Sequence, residues 1–158
     1  TGVQTCALPI YQQVDIAIIE TGLGGRLDST NVISPELSII TNIGWDHMNL
    51  LGNTKTLIAG EKAGIIKMKT PVIIGESLPE TREVFEKKSA EMNAPLFFAE
   101  EAFTILDYQI SDQTTIKILH EKGKQMNFTL DLSGIYQLKN ILPVLSAVDQ
   151  LKIGRAHV

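Results

Sequence analysis

A carboxylate followed closely by three glycines is the first feature of this sequence that could carry chemistry. Glu20 ends an apolar run, and Gly22, Gly24 and Gly25 follow it before Asp28. A carboxylate at the C-terminal end of a buried parallel strand lies where open α/β sheets bind ligands, and glycines let the backbone approach a bulky or charged group. The alternative is a glycine-rich crossover whose carboxylate caps a neighbouring helix. The stretch is not a dinucleotide-binding fingerprint, because the third glycine of that motif is missing. The sequence also has no phosphate loop, because it contains no Gly-Lys-Ser/Thr triplet.

A second candidate is the pair Asp46 and His47, which follows another predicted strand. An aspartate beside a histidine can form a general base with its orienting partner, or can supply a metal ligand. His47 could instead cap the end of the strand through hydrogen bonds. Trp45, which precedes the pair, could stack on a ring or pack in the core.

A third candidate is Lys62, which lies in an otherwise apolar helical segment. Its spacing from Ile58, Ile65 and Ile66 places it on the same face of the helix. A lysine turned toward the core is costly unless it is paired or modified. A deprotonated lysine can react with carbon dioxide to give a carbamate, an anionic oxygen ligand that suits magnesium. The alternative is a lysine whose ammonium group snorkels to solvent.

The hydrophobic pattern predicts the elements that position these residues. Apolar runs at 14–19 and 37–43 predict buried parallel strands, and short strands are predicted at 71–75 and 96–99. Helices are predicted from an N-cap at Thr54 to residue 67, and from a capping-box spacing at Ser77 and Glu80 to residue 92. The alternation predicts an α/β fold with a mainly parallel sheet flanked by helices. Three β-rich runs from residue 103 onward predict an antiparallel segment toward the C terminus, followed by a helix over 134–150.

The two ends of the chain can be encoded by DNA sequences that are reverse complements of each other. Residues 153–158 can be encoded by ATCGGAAGAGCACACGTC, and its reverse complement, read in frame, encodes residues 5–9 and the start of residue 10. Both ends also resemble the translation of a widely used sequencing adapter. We therefore interpret 1–10 and 152–158 as adapter-derived. Residues 11–151 are then the biological segment, and we expect a truncated domain.

Composition and charge exclude several classes of protein. The net charge is −4, from 14 basic and 18 acidic residues, and no basic stripe for nucleic acid is present. No apolar run approaches the roughly 20 residues of a membrane-spanning helix, and no secretory signal is recognisable. The single cysteine, Cys6, lies in an adapter-like end, so the remainder has no disulfide or thiolate site. We expect a soluble, cytoplasmic protein.

Three stretches, in this order and spacing, resemble one family. They are E-T-G-L-G-G-R-L-D-S-T-N-V-I, beginning at Glu20, T-N-I-G-W-D-H-M-N-L-L-G-N-T, beginning at Thr41, and I-A-G-E-K-A-G-I-I-K, beginning at Ile58. Together they resemble folylpolyglutamate synthase and its dihydrofolate synthase relatives in the Mur ligase superfamily. The likeness is close over 14–75 and weaker beyond. It implies the central, ATP-binding domain of such a ligase.

The resemblance also implies a metal and catalytic site. Glu20 and His47 would be ligands of a magnesium ion, Mg²⁺. Lys62 would be the carbamylated lysine that supports this ion, so Lys62 and His47 would be the catalytic residues.

Substrate and nucleotide contacts are implied in the same way. Leu27, Asp28 and Ser29 match the family's pterin-substrate segment, with serine in place of a frequent alanine. Asn140 matches an asparagine that contacts the adenine of ATP, although Tyr136 stands where the family often has histidine.

The implied activity is ATP-dependent amide formation between L-glutamate and a folate or dihydropteroate carboxylate, through an acyl phosphate. The cofactors would be Mg²⁺ and ATP, without a nucleic-acid or membrane partner, and the full-length enzyme would be a monomer. The phosphate loop would precede residue 14 and a further domain would follow residue 151, so we expect the chain alone to be inactive. Two alternatives stay open: a Mur-type ligase acting on a cell-wall nucleotide peptide, and a non-catalytic nucleotide-binding module.

Overall fold

A computed structural model describes residues 12–45 and 48–152 of the 158-residue chain. His47 lies outside the described residues, as do nearly all of the ends interpreted as adapter-derived. The metal-binding role of His47 and the adapter origin of the two ends therefore stay predictions. No helix in the described ranges is long and apolar enough to cross a membrane.

The first sheet is parallel and has three strands in the order β1-β2-β3. They are β1 (Ser38–Ile40), β2 (Val72–Ile74) and β3 (Leu96–Phe98). The connections are helical: α1 (Met48–Leu51) and α2 (Lys55–Lys62) follow β1, and α3 (Pro79–Met92) follows β2. This arrangement confirms the predicted parallel sheet with helices.

Alternate side chains of β2 point into two different cores. Val72 and Ile74 join a cluster that includes Ile58 and Phe85 from α2 and α3, whereas Ile73 joins a cluster on the other face. All three β2 side chains are buried, as expected for a central strand that is covered on both faces.

The second sheet is antiparallel and confirms the predicted β-rich segment. It contains β4 (Phe103–Ile110), β5 (Thr114–His120) and β6 (Gln125–Leu130), in that order. Helix α4 (Ala99–Ala102) leads into β4, and α5 (Tyr136–Leu151) closes the described chain. Leu138, Ile141 and Leu142 of α5 pack with Ile73 and with β5, so this helix joins the two sheets.

The predicted buried strand at 14–19 is wrong for this structure. The segment has no strand assignment, and its side chains are largely exposed, with Ile16 61% and Ile18 94% accessible. An interior strand is stable only when neighbouring strands satisfy its backbone groups and helices cover its faces. Among the described strands, β1 pairs with β2 alone and none pairs with 14–19.

The start of α3 differs from the prediction by one residue. Ser77 and Glu80 were expected to form the cap, but the helix begins at Pro79 with Leu78 at the N-cap. The Oγ1 atom of Thr81 accepts the Leu78 backbone N–H at 3.4 Å. Proline fits the first helical position because its missing N–H would have no intrahelical partner there.

Candidate functional site

A cavity of about 280 Å³ lies between the glycine-rich loop and the helices α1 and α2. It contains Leu27, Asp28 and Ser29, so the structure brings together the three residues predicted to bind substrate. The other lining residues come from the same loop and from the two helices: Leu23, Gly24, Gly25, Leu50, Leu51 and Glu61. Leucines and two acidic residues therefore line one space, which suits a partly apolar molecule.

Asp28 organises the loop that forms one wall of this cavity. Its carboxylate accepts the Thr30 hydroxyl at 2.6 Å, the Thr30 backbone N–H at 2.9 Å and the Leu23 backbone N–H at 2.9 Å. These hydrogen bonds, the Thr30 hydroxyl first, lower the pKa of Asp28 below its ordinary value. Asp28 is also the N-cap of the 3₁₀ turn Ser29–Val32. Because a carboxylate has about four acceptor positions, most of those on Asp28 are already occupied within the loop.

The loop lies directly against the C-terminal end of α2. The Arg26 N–H donates to the Glu61 carbonyl at 2.8 Å. A Cβ atom at Gly25 would come within 2.8 Å of the same carbonyl, and one at Gly64 would come within 2.4 Å of the Arg26 Cα. Only glycine at both positions allows the two segments to approach this closely.

Lys62 is the last residue of α2, next to the cavity-lining Glu61. The predicted N-cap of this helix is confirmed, since the Thr54 hydroxyl accepts the Leu57 N–H at 3.2 Å. Ile58 is fully buried, whereas Lys62 is half-buried. In the part of the chain that the structure describes, the Lys62 ammonium has no hydrogen bond or ion pair.

The predicted magnesium ligands are only partly within view. Glu20 lies in an irregular, exposed segment, and His47 lies outside the described residues. No group of three acidic, histidine or cysteine residues lies together within 12–45 and 48–152. Magnesium is commonly held by one or two protein carboxylates together with water and substrate phosphates. An accessible carboxylate such as Glu20 therefore fits this ion.

Asn140 lies on α5 and is not part of the cavity lining. Its side chain is exposed and donates to the Gln137 side chain at 3.4 Å. The neighbouring Lys139 forms a 2.6 Å ion pair with Glu76, and this hydrogen bond raises the pKa of Lys139. The exposed side of α5 therefore carries polar side chains, and Lys139 links it to the loop that follows β2 through Glu76.

Two features of the site were not predicted. Arg26 and Glu61 were treated only as parts of motifs, yet they join the loop to the helix. The sequence did contain a signal for this contact: Gly25 precedes the basic Arg26, and Gly60 precedes the acidic Glu61. Trp45, for which core packing was one interpretation, is 59% exposed, with the Lys55 ammonium 5.8 Å from its ring centre.

The chain is similar to known proteins in both sequence and structure. The Mur ligase middle domain family matches residues 1–148. Dihydrofolate synthase/folylpolyglutamate synthase of Bacillus subtilis is 40% identical over 152 residues, which covers 94% of this chain and 35% of that protein.

Two solved structures have a similar fold. The FPGS–AMPPCP–folate complex has a TM-score of 0.83 at 32% identity, covering 92% of this chain and 37% of that one. Mycobacterium tuberculosis folylpolyglutamate synthase complexed with ADP has a TM-score of 0.77 at 30% identity, covering 92% and 34%. The chain thus spans about a third of the length of the proteins it matches.

Proposed function

Because this chain belongs to the Mur ligase middle domain family, we propose that it is the ATP- and magnesium-binding part of an ATP-dependent amide ligase. The ligase joins L-glutamate to the carboxylate of a folate or of dihydropteroate. One observation carries this proposal: the cavity gathers Leu27, Asp28 and Ser29 beside the end of the helix that carries Lys62. The resemblance assigns the first three residues to the substrate, and Lys62 together with His47 to catalysis.

The cavity supports a pterin-type substrate. Leu23, Leu27 and Leu50 offer apolar contact to a flat ring. The Asp28 carboxylate can accept a hydrogen bond from a ring or amino N–H group at the position that its three loop hydrogen bonds leave. The similarity to a complex that holds folate and an ATP analogue supports the same pair of ligands for this chain.

For ATP, we propose that Asn140 contacts the adenine, since a side-chain amide can donate and accept at a nucleobase edge. Glu20, His47 and Lys62 as a carbamate would hold magnesium, which supplies charge neutralisation at the transferred phosphate when bound. Lys62 suits this role because the residue is half-buried and its side-chain nitrogen has no partner among the described residues.

The proposed reaction has two steps. A carboxylate oxygen of the folate substrate attacks the γ-phosphorus of ATP, the bond to ADP breaks, and an acyl phosphate forms. The amino nitrogen of glutamate then attacks the acyl carbon, phosphate leaves, and the nitrogen loses a proton. The protein contributes mainly position and electrostatic stabilisation in such transfers. In this proposal the loop of 22–31 fixes the substrate, and Lys62, at the end of α2, acts next to it.

The test is a ligation assay on the full-length protein that carries this chain. We expect ATP-dependent incorporation of labelled L-glutamate into dihydropteroate or tetrahydrofolate, with ADP formed in equal amount. A UDP-linked muramyl peptide serves as the matched competitor substrate, and the 158-residue chain alone should be inactive. Product from the muramyl peptide only, or no product with any acceptor, would contradict the proposal.

A further inference from the structure

A side-chain ion pair reinforces the contact between the glycine-rich loop and α2. The Arg26 guanidinium reaches the Glu61 carboxylate with two nitrogens, Nε at 3.2 Å and Nη2 at 3.1 Å from Oε1. The Arg26 side chain is 57% exposed and that of Glu61 26%. The same two residues also share the backbone hydrogen bond from Arg26 to the Glu61 carbonyl. Their relative position is therefore fixed at both backbone and side chain.

A second bridge lies on the other side of Lys62. The Asn31 side-chain amide donates to the carbonyls of Arg26 and Gly64, at 3.1 Å each. The Lys67 ammonium donates to the Asn31 carbonyl at 2.7 Å. The loop is thus bonded to residue 61 before Lys62 and to residues 64 and 67 after it.

We infer that Arg26 and Glu61 are positioning residues, which act through Lys62 and hold it in register with the substrate-lining loop. Because Lys62 lies between the two bridges, a shift of the loop and a shift of Lys62 must occur together. This inference rests on the proposed function, since it concerns the amine that the ligase uses. The role assigned to Arg26 and Glu61 is to hold Lys62 in place through their ion pair, without contact with the reacting atoms.

The fold itself does not depend on the ion pair. Exposed ion pairs add little to stability, and the buried contacts of α2 come from Ile58 and Ala59. Reaction rates depend much more strongly on position, since a misplacement of about 1 Å can cost as much as about 100-fold. Losing the pair should therefore lower catalysis without unfolding the protein.

The kinetic test compares Arg26→Met, Arg26→Lys and Arg82→Met in the full-length ligase. Arg82 is the matched control because it forms exposed ion pairs with Glu86 and Glu101, and none of these three residues lines the cavity. We expect Arg26→Met to lower kcat about ten-fold with the KM values for ATP and glutamate changed less than about two-fold, Arg26→Lys to recover part of kcat, and Arg82→Met to match the wild type. A kcat for Arg26→Met within two-fold of wild type, or equal losses in Arg26→Met and Arg82→Met, would overturn the inference.

Amide hydrogen exchange tests the same inference without substrate. In Arg26→Met, exchange should rise together in 22–31 and in 61–67, and should not change in Arg82→Met. This result is independent of catalysis, so an inactive wild type would refute the proposed function while leaving the positioning role testable. Unchanged exchange in both segments of Arg26→Met would refute the positioning role, even if kcat fell.

Discussion

Replacing Lys62 with alanine in the full-length ligase should lower kcat by at least about 100-fold, the scale seen when one preorganised electrostatic group is removed. Lys62 ends α2 beside the cavity, and the carbamate proposed on it would supply an anionic oxygen at the magnesium. Lys62 is half-buried at the end of α2 rather than fully buried in its interior, so the unfolding temperature should change little. Steady-state kinetics with saturating ATP, glutamate and folate measures the effect.

Two controls separate this loss from a general effect of lysine removal. Lys88→Ala removes a lysine that is similarly half-buried but pairs with Glu91 on α3, and it should retain wild-type kcat. Short-chain carboxylates added to Lys62→Ala should restore part of the activity, because they supply the missing anionic oxygen. Near-normal turnover by Lys62→Ala without any additive would remove Lys62 from the catalytic account.

Replacing Gly64 with alanine should destabilise the chain by about 2–3 kcal/mol, at the upper end of the usual cost of overpacking. The new Cβ would lie 2.4 Å from both the Cα and the Cβ of Arg26. Backbone atoms cannot move aside as a flexible side chain can, so the loop must separate from the end of α2. Urea unfolding of the 158-residue chain, followed by circular dichroism, measures the change in free energy of unfolding.

Gly60→Ala is the matched control, since Gly60 lies in α2, four residues before Gly64, and nothing is within 4 Å of a Cβ placed there. Alanine is favoured over glycine inside a helix by up to about 1 kcal/mol, so this variant should be as stable as the wild type or more stable. Equal midpoints for the two variants would mean that the loop does not press against α2 as described.

The sequence was sufficient to predict the elements whose hydrogen-bonding and packing partners lie within the described chain. Strands β2 and β3 pair with each other, and the three strands within 103–130 pair among themselves. The apolar pattern and the turn residues were therefore enough to predict them. The Thr54 cap was predictable for the same reason, because its partner is three residues away.

The prediction failed where a pattern depends on partners elsewhere. Val14, Ile16 and Ile18 have the pattern of an interior strand, but an interior strand needs neighbours that the described residues do not supply.

The cap of α3 differs from the prediction by one residue for a local reason. Proline fixes the first helical position, and the Thr81 hydroxyl accepts the hydrogen bond from the N-cap backbone N–H.

For the site, residue types gave the candidates but not their contacts. Leu27, Asp28 and Ser29 are adjacent in sequence, and their common cavity could be expected. The Arg26–Glu61 pair joins residues 35 positions apart, and no local rule links them. The resemblance assigns Asp28 to the substrate segment, and the structure shows that the loop itself takes up most of its acceptor positions.

An oxygen-transfer measurement on the full-length ligase tests directly whether an acyl phosphate forms. The folate-type substrate carries ¹⁸O in its reacting carboxylate, and the inorganic phosphate released with ATP and glutamate is analysed by mass spectrometry. The proposed acyl phosphate predicts one ¹⁸O atom in each phosphate, because a carboxylate oxygen leaves with it when the amide forms. Amide product accompanied by unlabelled phosphate, or ATP hydrolysis without amide, would contradict the account.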